Sequence, residues 1–598
     1  MNEGRRSGEA NTALALFVLL LISCLSAGAQ DVVAKAMQDE LARSMGQLQV
    51  QGMQKPYFVA YRADDIDDTK VSASLGSLTE ETPSHRRTLG VEVRVGDYKL
   101  DNSNFFSARS FAGTARFANS LVEAPLDDDY AEIRRRLWLA TDAQYKSALE
   151  DYSSKKAALE QRKQGEDAQD FSKEPAAHLS ETAAQSKVDL AALEQLARTI
   201  SAVFRQMPEI YTSSVQLECH DVYTRYVNSE GTSFTRWQPF LHLGVSAGTQ
   251  SSDGLPINES FDVYLRSAAE LPREGELVER ARQMGERVAR LREASYMERY
   301  NGPLLFEDEA AAEIFAQIFA PALVAVPAPV SDDPRFEMVF DQFASQLTGG
   351  GSLLQKIGGR VLPEFLSVAD NPQQDAYNGI TLPGTWKIDD DGVMTRPTKL
   401  VEKGTLKALL TTRAPAPPLE HSSGSRRGWG PAPAALTVSA DKTMTHDEMR
   451  QELLRRVKDR GLAYGIVVRT VGGGGLTGIL RMFASMATNP GSMATNSLTE
   501  GYKLFPDGHE ETIRGAELSG MTTASFRDIA AAGDRPVLFN ALFIPKFNAL
   551  FSMGLSGASD MPVTSYIVPS LLFEEATLVK TSGSRPNPPA TKSPLAER

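Results

Sequence analysis

The amino-acid sequence predicts an α+β fold in two domains, an N-terminal sheet carrying long amphipathic helices and a C-terminal β-rich domain. Three observations carry this expectation. Alternating runs bounded by polar turns recur from Pro56 to Val95 and from Ser214 to Trp237. Two stretches of helical periodicity, Tyr130 to Leu159 and Val188 to Phe204, lie between them. Finally, Leu304 to Pro321, LLFEDEAAAEIFAQIFAP, is an apolar strand-like run that turns into an alanine-rich helix and opens a second succession of short strands.

At 598 residues the chain accommodates two or three domains, each with a full core. Its 63 basic and 76 acidic residues give a net charge of -13, and no long basic run offsets it, so a general nucleic-acid binder is not expected. Arg5 and Arg6 followed by ALALFVLLLI (Ala13 to Ile22) read as the n-region and h-region of a signal peptide, too short to span a bilayer. Cleavage after Ala27-Gly28-Ala29 makes Gln30 the mature N-terminus, with residues 1–29 as leader and a periplasmic or secreted product. Leu21-Ile22-Ser23-Cys24 also resembles a lipobox, so membrane attachment is expected only with a lipid on Cys24. The other cysteine, Cys219, then has no disulfide partner; in VQLECHDV it shares a strand face with Val215 and Leu217 as a small core residue.

In order, Pro56 to Arg62, Val71 to Leu78 and Val91 to Val95 read as consecutive strands, with a turn around Tyr98 to Leu100. Ile133, Leu137, Tyr145, Leu149, Tyr152 and Leu159 mark a helical arm over 130–163, one half of a helical hairpin, with Trp138 as a packing group. Gly165 to Pro175 is a polar loop. Leu190, Leu193, Leu196, Ala197, Ile200 and Phe204 form the inner face of the next helix. Asn228 to Gly231 is a hairpin turn, and an Arg- and Glu-rich helix from Glu276 to Tyr300 leads to a boundary near Gly302. The domains are therefore 30–301 and 302–580, with a disordered tail over 581–598.

In the second domain, Ala311, Ile314, Phe315, Ile318 and Phe319 define a buried helical face, and Pro321 ends or kinks the helix. Glu307, Asp308 and Glu309 occupy its first turn, where carboxylates favour the helix dipole. The glycine runs at 349–351 and 472–475 lack the GK[ST] ending of a phosphate loop and read as turns. Further elements are Val361 to Val368, Gly384 to Arg396, a hairpin over Leu400 to Leu410 turning at Lys403-Gly404, a helix at Asp447 to Lys458, and a strand at Ala463 to Arg469. A hairpin from Tyr502 to Arg514, a short helix at Thr522 to Ala531 and a closing strand at Pro569 to Leu578 complete the domain.

Catalytic motifs are sparse. The nearest of the seven histidines, His220 and His242, are too far apart for a helical zinc pair. A rebuilt site of dispersed histidines and carboxylates would start from Glu309 and Glu313 at i, i+4. Ser153 to Lys156 and Ser439 to Lys442 match SxxK without an SDN partner, and no GxSxG is present. His421 with Ser422, Ser423, Arg426 and Arg427 reads as a solvated loop or an anion contact. Asp389-Asp390-Asp391-Gly392 lacks calcium-loop spacing and reads as a turn.

Several of these segments resemble the TldD/TldE (PmbA, modulator of DNA gyrase) metallopeptidase family. They are RYVNSEGT at 225–232, Leu304 to Pro321, the hairpin ending in Thr411-Thr412-Arg413, Glu420 to Arg427, and PSLLFEEATL at 569–578. The resemblance runs from about Pro56 to Val579. In the family's active branch the helix after Leu304 carries HExxxH; here the positions read Phe315-Ala316-Gln317-Ile318-Phe319-Ala320, and the late cysteine ligand is also missing. The resemblance therefore implies a TldE-like subunit with no catalytic residue or metal of its own, zinc residing only in a TldD-like partner. Such a subunit would form a heterodimer in proteolysis, shaping the cavity and holding extended peptide by β-augmentation. A metallopeptidase with a rebuilt site, or a homo-oligomeric envelope binding protein, are the alternatives.

Overall fold

The computed structural model describes residues 31–107, 121–162, 169–182, 188–328, 330–335, 337, 353–428, 430–472, 498–543, 562–581 and 585–597. Cys24, the cleavage pair Ala29 and Gln30, the glycine run at 349–351 and most of 472–497 lie outside the described residues. The fold is mixed α+β, as the periodicities predict.

The N-terminal sheet is built on one hairpin. Strands β1 (Pro56–Ser74) and β2 (Ser77–Val95) each run for 19 residues and turn at Leu75-Gly76. The separate short strands expected at Pro56 to Arg62 and Val71 to Leu78 are thus mostly one element. The polar stretch ADDIDDTK between them stays in register because its charges are paired: Arg87 with Asp65 and Arg86 with Asp68 across the hairpin, and Arg225 with Asp65 from the other side. Strands β6 (Thr212–Asn228), β7 (Ser233–Gln250) and β8 (Pro256–Leu265) follow antiparallel on β1, β4 (Leu121–Ala124) flanks β2, and β5 (His178–Ser180) adds parallel to β7. The hairpin at Asn228 to Gly231 is as expected, with Gly231 at φ 96°.

One face of this sheet carries two helical pairs. Helix α1 (Val32–Gln47), capped by Asp31, and α2 (Tyr130–Arg162) cover Val59, Tyr61, Val91 and Val93. Helices α3 (Leu190–Ala202) and α4 (Glu274–Leu291) cover Val71, Val215, Leu217, Cys219 and Leu243. Helix α4 stops at Leu291 rather than at Tyr300, because residues 295–296 already form β9 (Ser295–Tyr296) of the next domain's sheet. Trp138 is 49% exposed and not a packing group: one residue past Leu137, it points about 100° away from the buried stripe.

The C-terminal domain stacks two sheets. The larger has the order β23 (Ala516–Ser519), β27 (Leu571–Lys580), β10 (Arg299–Phe306), β20 (Gly465–Val471), β21 (Leu498–Leu504), β22 (Glu510–Arg514) and β9, with β24 (Ile529–Ala532) also on β27. The smaller runs β16 (Thr405–Leu406), β15 (Thr398–Glu402), β12 (Leu366–Asp370), β19 (Ala435–Ala440), β26 (Val563–Val568), β25 (Val537–Leu542). Two-residue strands pair locally: β3 (Phe105–Phe106) with β11 (Val330–Ser331), β13 (Ala376–Tyr377) with β14 (Ile380–Thr381), and β17 (Arg426–Arg427) with β18 (Gly430–Pro431).

Alternation along β10 decides which side each residue serves. Leu304 and Phe306 enter the core between the sheets, while Leu305 meets Met449, Leu453 and Val457 of helix α6 (His446–Asp459) on the outside. Thr445 and Glu448 form the capping box of α6. Lys403 and Gly404 both have positive φ at the tip of the β15–β16 hairpin, as its sequence predicts. The helix expected over Thr522 to Ala531 is a short 3-10 turn, Thr523–Asp528, because Ile529 to Ala532 are drawn into pairing with β27. Of the tail expected to be disordered, Arg585 pairs with Asp253, and the Pro586 carbonyl accepts a 2.6 Å hydrogen bond from Gln250 Nε2.

Candidate functional site

The stretch that follows β10 positions the site. Glu307 ends the strand, Asp308 adopts φ 47°, an uncommon conformation for a residue with a Cβ, and helix α5 (Glu309–Ile314) begins one residue later. Glu307 and Asp308 therefore precede the helix rather than filling its first turn. Beyond Ile314 the helix widens, with the Ala320 amide bonded to the Phe315 carbonyl, and then tightens into a 3-10 turn over Ala320–Leu323. Pro321 sits inside that turn, and its missing N–H belongs to this change of winding.

The helix buries the face that the periodicity predicts, Ala311, Ile314, Phe315, Ile318 and Phe319, while Glu309, Ala316 and Gln317 are partly exposed. Phe315 is 1% exposed and Phe319 and Ala320 are fully buried, while Ala316 packs partly exposed against the same core. The rings form a continuous cluster: Phe315 to Phe319 at 5.3 Å, Phe319 to Phe526 at 5.0 Å, Phe526 to Phe573 at 5.3 Å and Phe573 to Phe306 at 5.4 Å between centroids. A zinc ion needs nitrogen, sulfur or oxygen donors; the four positions of the family motif offer aromatic rings and methyl groups packed at interior density. The residues present do not fit the metal.

What the same stretch does line is a cleft of about 590 Å³ between the domains. One wall comes from β8 and α4, through Asn258, Glu259, Phe261, Arg280 and Arg287; the other comes from Glu307 to Glu309, Glu313, Arg469 to Gly472, Glu500, and Phe539 to Ala541 of β25. Glu307, 2% exposed, accepts Arg450 Nε at 2.6 Å and Arg450 Nη2 at 3.1 Å, with His446 Nε2 at 3.1 Å and Arg469 Nε at 3.4 Å. Glu259 accepts Arg287 Nε at 2.9 Å through Oε1, and Arg287 also reaches Glu500 at 3.6 Å. Glu313 has no guanidinium against it. Its Oε2 accepts the Val471 amide at 2.5 Å, and burial, reinforced by the Glu309 carboxylate, pushes its pKa well above the usual carboxyl range.

Behind the cleft wall Asp262 holds His242 Nε2 at 2.6 Å. Burial pulls the imidazole pKa down, but Asp262 and Glu218 outweigh it and raise it to about 9, so His242 is a buried cation. Of the other histidines, only His446 approaches the cleft. His85, His178, His220 and His509 contact Asp67, Ser233, Asp68 and Asp507 respectively, and exposed His421 lies 3.7 Å from Glu174. Among the described residues no group of three or more histidines, cysteines, aspartates or glutamates is arranged to hold a metal ion.

The remaining candidates serve structure. Asp389 to Gly392 forms the expected turn, Ile388 bridging Met394. Asp389 accepts amides of Asp391, Val393 and Arg426; Asp390 takes Arg236 and the Gly428 amide; Asp391 takes Arg426 at 2.9 Å. Those oxygens are already engaged. Ser153 bonds the Leu149 carbonyl within α2. Arg413, 2% exposed, joins the domains: its guanidinium grips Glu230 at 2.6 and 2.9 Å and the Ser172 carbonyl at 3.0 and 2.6 Å, 3.8 Å from the Phe171 ring centre. RYVNSEGT and Thr411-Thr412-Arg413, far apart in sequence, thus meet at one interdomain contact.

Sequence reasoning missed Glu259, Arg287 and Glu500. A signal for the first exists: in PINESFDVYL, Glu259 shares the parity of Ile257 and Phe261, a charge on the inward face of an alternating strand.

Comparisons with known proteins agree with this architecture. Residues 299–580 match the model of the PmbA/TldA metallopeptidase C-terminal domain. Among solved structures, the chain is similar to TldE from Thermococcus kodakarensis, with a TM-score of 0.52 at 13% identity over 91% of this chain and 100% of that one. A protein described as a modulator of DNA gyrase from Bacteroides thetaiotaomicron gives 0.53 at 12% identity over 93% and 100%. A counterpart from Thermotoga maritima gives 0.52 at 14% identity over 87% and 96%. No curated protein matches the sequence.

Proposed function

From a chain whose residues 299–580 match the model of the PmbA/TldA metallopeptidase C-terminal domain, we propose that it acts as an exported, TldE-like subunit that carries no zinc of its own. It holds extended peptide for a zinc-bearing TldD-like partner and stabilises that partner's cavity. The observation that carries this reading is the chemistry of the two positions where the family's active branch places its histidines: Phe315 is a ring packed in the aromatic cluster and Ala320 a fully buried methyl group, so neither offers a metal ligand.

The holding mode follows from the sheet. Strand β25 pairs with β26 on one side only among the described residues, and Phe539 to Ala541 line the cleft. An extended peptide entering there would find unpaired backbone groups, which give affinity without a catalytic side chain on this subunit. Arg287 of α4 reaches Glu500 of β21 at 3.6 Å across the cleft, so an ion pair joins its two walls.

The experiment is elemental analysis of the mature protein, purified alone and then co-expressed with a TldD-like protein from the same source. Zinc near one equivalent in the joint complex, with none in the chain alone, is the expected result. Stoichiometric zinc in the chain alone, with chelator-sensitive cleavage, would overturn the reading in favour of a rebuilt metal site. A self-associated particle that binds neither partner nor peptide would favour an envelope binding protein instead.

A further inference from the structure

We infer that the interdomain cleft contains a subsite for an alkylammonium group, the free amine of a peptide's N-terminal residue or of a lysine side chain, seated against Glu313, Glu259 and Asn540. The inference rests on the reading of the cleft as a peptide-holding site and names the chemistry that site selects.

The cations that line the cleft are taken up by its own carboxylates. Its arginines are committed: Arg287 is shared by Glu259 and Glu500, and Arg469 by Glu307 and Glu510, while Arg280 stands 3.8 Å from Glu309. Glu313 is left without a cation, and Asp308 is exposed in the cleft. Two buried acceptors in the same walls, Glu259 Oε2 and Asn540 Oδ1, have no hydrogen-bond partner among the described residues, and Glu259 is only 5% exposed. An orphaned buried acceptor costs about 1–3 kcal/mol, so two in one cleft are informative.

The occupant that fits supplies several donors, a positive charge and no acceptor. A guanidinium seeks both oxygens of one carboxylate. Here Glu259 has given Oε1 to Arg287 and Glu313 has given Oε2 to Val471, so each offers a single oxygen. A compact ammonium with three divergent donors matches that set.

Ionisation of Glu313 is opposed by burial and by Glu309 beside it on α5 and Glu259 on β8, and is eased by Arg280 on α4. A bound ammonium would supply the missing positive charge and favour the ionised carboxylate, so binding draws a proton off Glu313 and strengthens as pH rises.

The test is titration calorimetry of the full mature chain with three defined peptides. These are free-amine pentaalanine amide, acetyl-Ala-Ala-Lys-Ala-Ala amide and acetyl-pentaalanine amide, each measured in buffers of different ionisation enthalpy. At least one amine-bearing peptide should bind about tenfold tighter than the neutral one, with close to one proton released, and which one does so identifies the source of the amine. Glu313→Gln and Glu259→Gln, checked for native circular dichroism, should each remove most of that preference. Equal binding of neutral and charged peptides, or a preference that survives both substitutions, would overturn the subsite and leave peptide holding intact. Failure of all three peptides to bind would overturn both.

Discussion

Arg413→Met tests how much one buried cation contributes to holding the domains together. The substitution keeps an unbranched chain against Phe171 and Phe58 but removes every donor, leaving the Ser172 carbonyl and both oxygens of Glu230 without their partner. Breaking a buried pair by deleting one member costs about 3–5 kcal/mol. Glu230 keeps the 2.7 Å bond from Tyr98 and its side chain is 18% exposed, which places the expected loss near the lower end, about 3 kcal/mol. Guanidinium unfolding of the full chain, followed by tryptophan fluorescence, should show an earlier transition. Glu230→Gln added to Arg413→Met removes the stranded charge, so the double variant should recover about 1–2 kcal/mol relative to additive losses. A loss under about 1 kcal/mol, or strict additivity, would refute the argument that this contact joins the domains.

Other substitutions probe the cleft and the core. Because Glu313 has a folded pKa raised above its unfolded value, the folded state retains a proton that the unfolded chain has released, and stability declines as pH rises from about 4.5 through the folded value. Glu313→Gln has no such proton, so its melting temperature relative to the parent should rise between pH 5 and pH 8; a constant difference would show that Glu313 ionises freely. His242 is the opposite case: raised from 6.5 to about 9, it contributes stability that is full below about 6.5 and is lost as pH climbs through about 9. His242→Gln should lack that alkaline decline, and an NMR titration of His242 with a midpoint near 6.5 would contradict the assignment. Phe319→Ala should cost about 3–5 kcal/mol, because the ring is fully buried between Phe315 and Phe526. Phe315→His combined with Ala320→His should gain no melting temperature on adding zinc, since among the described residues no group of histidines, cysteines and carboxylates is arranged to hold a metal ion.

Much of the scaffold was legible because its signals are local. The turn at Asn228 to Gly231, the tip at Lys403-Gly404 and the helix at Asp447 to Lys458 each follow from a few adjacent residues. Elements whose bounds depend on distant partners were misjudged. Polar ADDIDDTK stays in a strand because Arg86, Arg87 and Arg225 lie opposite it, and Ile529 to Ala532 leave the expected helix because β27 offers an edge. The candidate site was least legible: Glu313 was visible only as a carboxylate on a helix, while Glu259 and Arg287, which share the cleft with it, come from another domain. Nothing in the order of residues 259, 287, 313 and 500 announces that they meet. The absence of the histidine motif at Phe315 and Ala320 was legible, and the close packing of that ring and methyl group is its physical counterpart.

The contacts of Arg585 and Pro586 with Asp253 and Gln250 make the polypeptide path nearly circular. The chain leaves the first domain after α4, builds the second, and ends back at the turn between β7 and β8. Arg585 shares Asp253 with Arg514, so one carboxylate of the first domain gathers cations from a strand of the second and from the segment beyond β27.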